Sequence, residues 1–256
     1  MSLPKKLRSP LNYIIMFVKW TLLAFLMGAL GGTIGALFHH VLHFVTHLRS
    51  ENGWLVWLLP LGGILTIGIY HICRLRQNRG TNEIIEAALD GHPVSPMVAP
   101  SIFLATAITH LFGGSAGREG AALQLGGSAA SFLAKWFRLK ESNRKILVTA
   151  GMSSVFAGLF GTPLTATLFC MEFVSVGTIF SPALLPCFLS AFTASRISLA
   201  LGVHAETFFL SQTFAMTLGN SWRYLILAVL VSLLGILMCT VFHKAEHLAA
   251  HHVKNP

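Results

Sequence analysis

The chain has 256 residues, of which 54% are hydrophobic and only 11% charged, with a mean hydropathy of +0.69. That balance excludes an ordinary soluble domain, and several apolar runs approach the ~20 residues that a helix needs to cross a bilayer, so the sequence reads as an integral membrane protein. Lys plus Arg number 18 against 9 Asp plus Glu, a formal net charge of +9, but much of the excess lies in short connecting segments, where it reports topology rather than a nucleic-acid partner.

Residues 1–12 form a basic lead containing Lys5, Lys6 and Arg8, expected to stay cytoplasmic by the positive-inside rule. The apolar stretch behind it runs to about Val45 without a convincing cleavage site, so it reads as a retained first membrane helix rather than a signal peptide. A helix over 13–47 exceeds one perpendicular crossing, which implies strong tilt or an end that extends into water. Residues 54–73 return, and Arg74, Arg76 and Arg79 place that exit on the cytoplasmic side. Gly80-Thr81-Asn82-Glu83 then offers a capping residue with an acid in the first turn, the mark of a helix start. The helix it opens is short, because Gly91, Pro93, Pro96 and Pro100 break the chain before the next apolar run. Short segments interrupted by glycine or proline point to binding sites in transporters.

A short apolar helix at 102–112 and a second helix at 121–137 flank the run Gly113-Gly114-Ser115-Ala116-Gly117-Arg118-Glu119-Gly120-Ala121. An acid and a base thus stand between glycines in an apolar context. A helix break at membrane depth is tolerated only where its backbone is buried in protein or lines a watery cavity. A helix opening near Arg118 would aim free amides and the positive end of its dipole at whatever fills that cavity, which suits an anion. A carboxylate held there could occupy the anion position when ionised and vacate it when protonated. Two plainer readings stand beside this one: the glycines and Ser115, Ala116, Ser128 and Ala129 could simply let helices approach closely, and Arg118 with Glu119 could be a neutralised structural pair.

Arg138, Lys140, Glu141, Arg144 and Lys145 make a polar hinge, after which 146–160 re-enters the membrane. Gly161-Thr162-Pro163 interrupts it, 164–176 carries Glu172 near its end, and 181–201 is one more apolar segment. Residues 221–252 echo the first helix at an offset of 204, pairing Lys19 with Arg223, Leu23 with Leu227, Gly31 with Gly235 and Phe38 with Phe242. The same offset carries His39, His43 and His47 onto His243, His247 and His251. This suggests that a second structural repeat begins near residue 221, giving a basic lead at 1–12, a first membrane repeat at 13–220 and the first helix of a second at 221–256.

Histidines at i, i+4 and i+8 share one helix face, so each set could bind a metal or sense pH; the plainer reading is the water-facing tip of a long helix. No carboxylate or cysteine supports the first set, only Glu246 accompanies the second, and no metal site is expected. Cys73, Cys170, Cys187 and Cys239 fall in or beside apolar runs and read as packing residues. No serine–histidine pair, zinc motif or nucleotide loop stands at a spacing that would carry chemistry, so neither an enzyme nor a cofactor is expected.

With GGSAGREGAALQLGGS at 113–128 and GTPLTATLFCMEF at 161–173 both in hand, the chain resembles the CLC family of chloride channels and proton-coupled anion antiporters. The first run is similar to the family's GREGP signature with Ala121 in place of proline, and the Gly-Thr-Pro-Leu form together with Leu-Gln-Leu-Gly-Gly resembles the bacterial fluoride-exporting branch. The resemblance implies an all-α integral membrane protein, a CLC-like bundle of tilted, short and re-entrant helices comprising the first inverted repeat plus the first helix of a second. By that resemblance Glu119 would be the gating and proton-coupling glutamate, and Gly117, Arg118, Gly120 and Ala121 would contribute to anion binding. The early anion-contact motif, glycine-serine-glycine-isoleucine-proline in chloride members, would have its counterpart at Gly80, Thr81 and Asn82. An inner proton-transfer glutamate directly follows the Glu172 position in the chloride antiporters; here that position is Phe173, and Glu172 and Phe173 are secondary candidates.

The implied function is halide transport, foremost fluoride/proton antiport, with a chloride channel as the alternative. A non-transporting remnant or partner subunit is the reading of a different class. The implied partners are fluoride or chloride, protons, the lipid bilayer, and either a second copy in a homodimer or a polypeptide carrying the missing second half. The implied location is a bacterial inner membrane with the N-terminus cytoplasmic.

Overall fold

The computed structural model describes residues 5–75, 80–174, 180–204 and 217–252, and within them only helices and their connections. Nine α-helices occur among these residues: α1 (Lys5–Glu51), α2 (Leu59–Ile72), α3 (Thr81–Asp90), α4 (Val98–Leu111), α5 (Glu119–Trp136), α6 (Glu141–Phe160), α7 (Pro163–Val174), α8 (Ser181–Ala200) and α9 (Ser221–His252). Four stretches are long and apolar enough to cross a membrane: Asn12–Glu51, Gly53–Ile72, Ser181–Ala200 and Ser221–Ala245. α4 and α7 are shorter apolar helices, as expected of segments that enter a bilayer without spanning it.

The chain divides into two compact units, Met1–Glu206 and Thr207–Pro256. In the first, α6 and α8 form the centre, and α1 packs along both of them. The contact on α1 is a stripe of Gly28, Gly31, Gly32 and Gly35, spaced so that all four share one helix face. A methyl group added at Gly28 would lie 2.7 Å from the Ser190 carbonyl oxygen, and one at Gly35 would lie 2.9 Å from the Gly158 carbonyl carbon. Without a hydrophobic force between helices in lipid, such close backbone approach is what holds them. Buried serines add polar staples between α6 and α8: Ser190 Oγ donates to the Ala150 carbonyl at 2.9 Å, and Ser198 Oγ donates to that of Gly158. The part of α1 before the stripe leaves Tyr13, Ile14, Met16, Phe17 and Leu22 exposed, an apolar surface suited to acyl chains.

α5 crosses α6 where Gly126 meets Gly151 backbone to backbone. The loop before α4 is tied onto α5 by the Val94 amide donating to Ser131 Oγ at 2.9 Å and by Ser128 Oγ donating to the Ser95 carbonyl at 3.0 Å. Cys170 and Cys187 are buried in these cores, Cys73 is half-buried, and all four cysteines are free.

Several expected boundaries move, each for a local reason. α1 begins at Lys5, so helix extends through the described part of the basic lead. Pro100, expected to precede its helix, stands in the first turn of α4, where a missing N–H costs no bond. The polar hinge is partly helical: α6 opens at Glu141, and the Asn143 and Arg144 amides donate to the Lys140 carbonyl at 3.0 and 2.9 Å. α3 is capped by Gly80 with no side-chain cap, and the expected acid, Glu83, stands in its first turn. α7 is described as far as Val174, so the last residues of the expected 164–176 segment lie outside the described residues.

Candidate functional site: two helix starts

α4 ends at Leu111, and Gly113, at φ 77°, turns the chain in the left-handed region that favours glycine. The backbone then runs irregularly until α5 opens at Glu119 with Arg118 as its cap. No side chain caps this end, and the first amide of the turn to find a carbonyl is that of Ala122, which donates to Arg118 at 2.9 Å. The amides of Glu119, Gly120 and Ala121 therefore have no partner along their own helix, the normal state of a helix start. They carry the positive end of the α5 dipole.

The Glu119 side chain folds back over this end. A methyl group placed on Gly117 would lie 2.6 Å from Glu119 Oε2, so the carboxylate occupies the space that a side chain at 117 would fill. Glu119 itself is exposed, as is Gly117. The Arg118 guanidinium carbon lies 5.8 Å from the centre of the Phe160 ring, within cation–π range. Ala121 is 4% exposed and packs among Phe38, Leu42, Val155 and Leu159, so its side chain belongs to the core.

The start of α3 meets this end of α5. Gly80 stands at φ 60° and ψ −133° with open space around it, so glycine is required there by backbone conformation alone. Thr81 Oγ1 lies 3.2 Å from where a methyl group at Gly120 would be, and it accepts from Gln124 Nε2 at 3.4 Å. Two helix starts thus converge around Thr81, Glu119 and Gly120. Asn82 is exposed. Gln124 joins the two starts; the residue is 6% exposed, and its Oε1 has no hydrogen-bond partner. The signal for it in the sequence was an amide-bearing residue amid the apolar and small residues of α5.

Glu172 and Phe173 lie apart from this site at the end of α7. Glu172 is exposed and lines an open cavity of about 500 Å³ with Leu164, Leu168 and Phe169. Phe173 terminates an aromatic ladder in which successive ring centres stand 5.4 Å (Phe173–Phe169), 4.9 Å (Phe169–Phe156) and 4.5 Å (Phe156–Phe160) apart. The far rung is the ring beneath Arg118. Phe173 is thus one end of an apolar stack, which offers a proton no acceptor.

Spanning and shorter apolar helices around two converging helix starts define an all-helical integral membrane protein. The "Voltage gated chloride channel" family profile matches residues 68–256, and the chain belongs to that family. It is 34% identical over 242 residues to a chloride/fluoride channel protein of Pseudomonas syringae pv. tomato, covering 93% of this chain and 54% of the relative. It is 26% identical over 263 residues to an H(+)/Cl(-) exchange transporter ClcA of Vibrio campbellii, covering 94% and 53%. Among solved structures, a CLC-type fluoride/proton antiporter superposes with a TM-score of 0.86 at 31% identity, over 94% of this chain and 61% of that one. A slow cyanobacterial Cl-/H+ antiporter shares the fold with a TM-score of 0.71 at 20% identity, over 92% and 59%. The chain spans about half the length of the curated relatives it matches.

Proposed function

We propose that this chain carries the anion-gating half of a CLC-type halide transporter that exports fluoride in exchange for protons. The observation that carries the reading is the Glu119 carboxylate folded over Gly117 at the open end of α5, with Thr81 of α3 alongside. When ionised, the carboxylate competes for the place that an anion would take at the helix end. Protonation removes that competition, so one group links anion entry to proton movement. The amides of residues 117–121 would hold the anion from one side and those of 80–82 from the other. Glu172 serves as a secondary, cavity-facing group. The similarity to proteins named for fluoride supports the choice of ion.

In this reading residues 13–220 are the first repeat and residues 221–256 open the second. The rest of the pathway corresponds to the part of the relatives that this chain does not span, or is completed by a second copy in a homodimer. The protein resides in a bacterial inner membrane with its N-terminus cytoplasmic. Phe173 favours a second reading, a chloride channel, because no inner acid stands ready to relay protons at that position. A remnant that transports nothing is the reading of another class.

Efflux from liposomes containing residues 1–256, followed with fluoride- and chloride-selective electrodes, separates these readings. The expected result is fluoride release exceeding chloride release, accompanied by proton uptake and altered by Glu119→Gln. Equal fluoride efflux from the variant and the parent would falsify Glu119 as the coupling group. Faster chloride release without proton movement would establish the channel reading, and no release from folded protein would favour the remnant.

A further inference from the structure

Near the α5 start a recess of about 450 Å³ is walled by His39, His43 and His47 of α1, His110 of α4 and Arg118. Four imidazoles and a guanidinium facing one cavity in an apolar chain are an unusual concentration of cationic potential. Among the described residues no group of three His, Cys, Asp or Glu is arranged to hold a metal ion, so the cluster is read through its protons. We infer that this recess is a second halide-binding site, an antechamber that fills when its histidines are protonated and exchanges halide with the Glu119 site; the inference rests on the transport reading above.

The chemistry follows from which ring nitrogens are committed. His110 Nδ1 lies 2.8 Å from the Thr106 carbonyl, and a carbonyl can only accept, so this nitrogen bears the hydrogen. In the neutral ring the remaining Nε2 then offers a lone pair, which repels an anion; protonation turns it into an N–H donor. The His39 and His43 rings stand 6.5 Å apart and nearly parallel at 15°. Two imidazolium charges at that distance repel one another unless an anion neutralises them, so proton and halide uptake reinforce each other. His47 Nδ1 is 3.6 Å from Glu51 Oε2. Arg118 contributes a permanent charge directly before Glu119 in the chain.

The other charged and titratable groups around the recess fit this assignment. On α1, Arg49 lies against Gly113, with its Cδ 3.3 Å from the place of an added methyl group, and His40 Nε2 donates to the Leu201 carbonyl at 2.9 Å. Glu51 is engaged with His47, and Glu119 is the internal anion with which an entering halide competes. The 3-10 segment Gly53–Leu58 carries no charge. Glu141, Arg144 and Lys145 stand in the opening turns of α6, at the opposite end from Phe160, and Arg196 of α8 is exposed and not among the lining residues.

The test is an NMR titration of the ¹⁵N-histidine-labelled full chain with sodium fluoride, sodium chloride and, as control, sodium gluconate, at about pH 5.5 and about pH 8, which bracket the ordinary histidine range. The expected result is saturable movement of the His43, His47 and His110 signals with either halide at the lower pH only. In His39→Gln/His43→Gln/His47→Gln, checked for retained helicity, the His110 response should need about tenfold more halide, equivalent to about 1.4 kcal/mol; His43→Gln alone provides a milder variant. No saturable movement at the lower pH, or an equal response at both pH values or to gluconate, overturns the site. Fluoride efflux by the parent without a halide response overturns the antechamber alone. A halide response without efflux overturns the transport reading and leaves the site standing.

Discussion

At the scale of single residues, the proposed function rests on a few polar groups whose neighbours in sequence are inert. Gln124 is the clearest case, since its amide donates to Thr81 and holds the α3 start against α5 while its oxygen stays unpaired. Gln124→Leu removes a weak hydrogen bond and an unsatisfied buried acceptor together, so the two effects on stability offset to within about 1 kcal/mol. Transport should suffer more: misalignment worth about 1 kcal/mol slows it about fivefold. Parallel thermal melts and fluoride efflux assays would check this, and a large loss of stability with normal efflux would contradict it. The sequence marked Glu119, Gly120 and Thr81 because charge and glycine stand out in an apolar chain. It did not mark the contact between them, because residues 39 positions apart meet only when α3 packs on α5.

Glycines decide the structure at the scale of elements, for two different physical reasons. Gly161 ends α6 at φ 70°, where an L side chain is strained, so Gly161→Ala should cost about 1–2 kcal/mol. Gly126 has an ordinary helical backbone but touches that of Gly151, so Gly126→Ala should cost about 1–3 kcal/mol by forcing α5 and α6 apart. Gly63 and Gly68 of α2 have nothing within 4 Å of an added methyl group. Alanine at either should be neutral or stabilising by up to about 1 kcal/mol, the difference in helix propensity. Thermal unfolding of all four variants in one detergent would test the ranking. The sequence alone offered all these glycines as helix breaks or packing sites without distinguishing them, because the neighbour each one meets lies on another helix.

For the whole molecule, orientation in the bilayer is the property that charge argues and that a labelling experiment can decide. Arg74, Arg76 and Arg79 follow α2, so the positive-inside rule puts Cys73 near the cytoplasmic face and the histidine end of α1 on the other. In inner-membrane vesicles of known sidedness, with Cys73 as the sole cysteine, a membrane-impermeant thiol reagent should label Cys73 from the cytoplasmic face. Ser50→Cys on the same background should label from the opposite face. The reverse pattern would invert the topology and place the histidine recess in the cytoplasm.

The sequence by itself determined the solvent, the helical class and the positions of the motifs, because hydropathy, glycine and charge act locally and need no partner to be read. GREG at 117–120 and GTPL at 161–164 identified the family before any contact was known, and a helix was expected to open close to Arg118. The tertiary structure alone decided that α3 and α5 open beside each other, that Phe173 ends an aromatic ladder under Arg118, and that the histidine stripe of α1 joins His110 around one recess. Each of those facts depends on which helix faces meet, and that is fixed by close backbone approach at Gly28, Gly35 and Gly126 rather than by any periodicity along the chain.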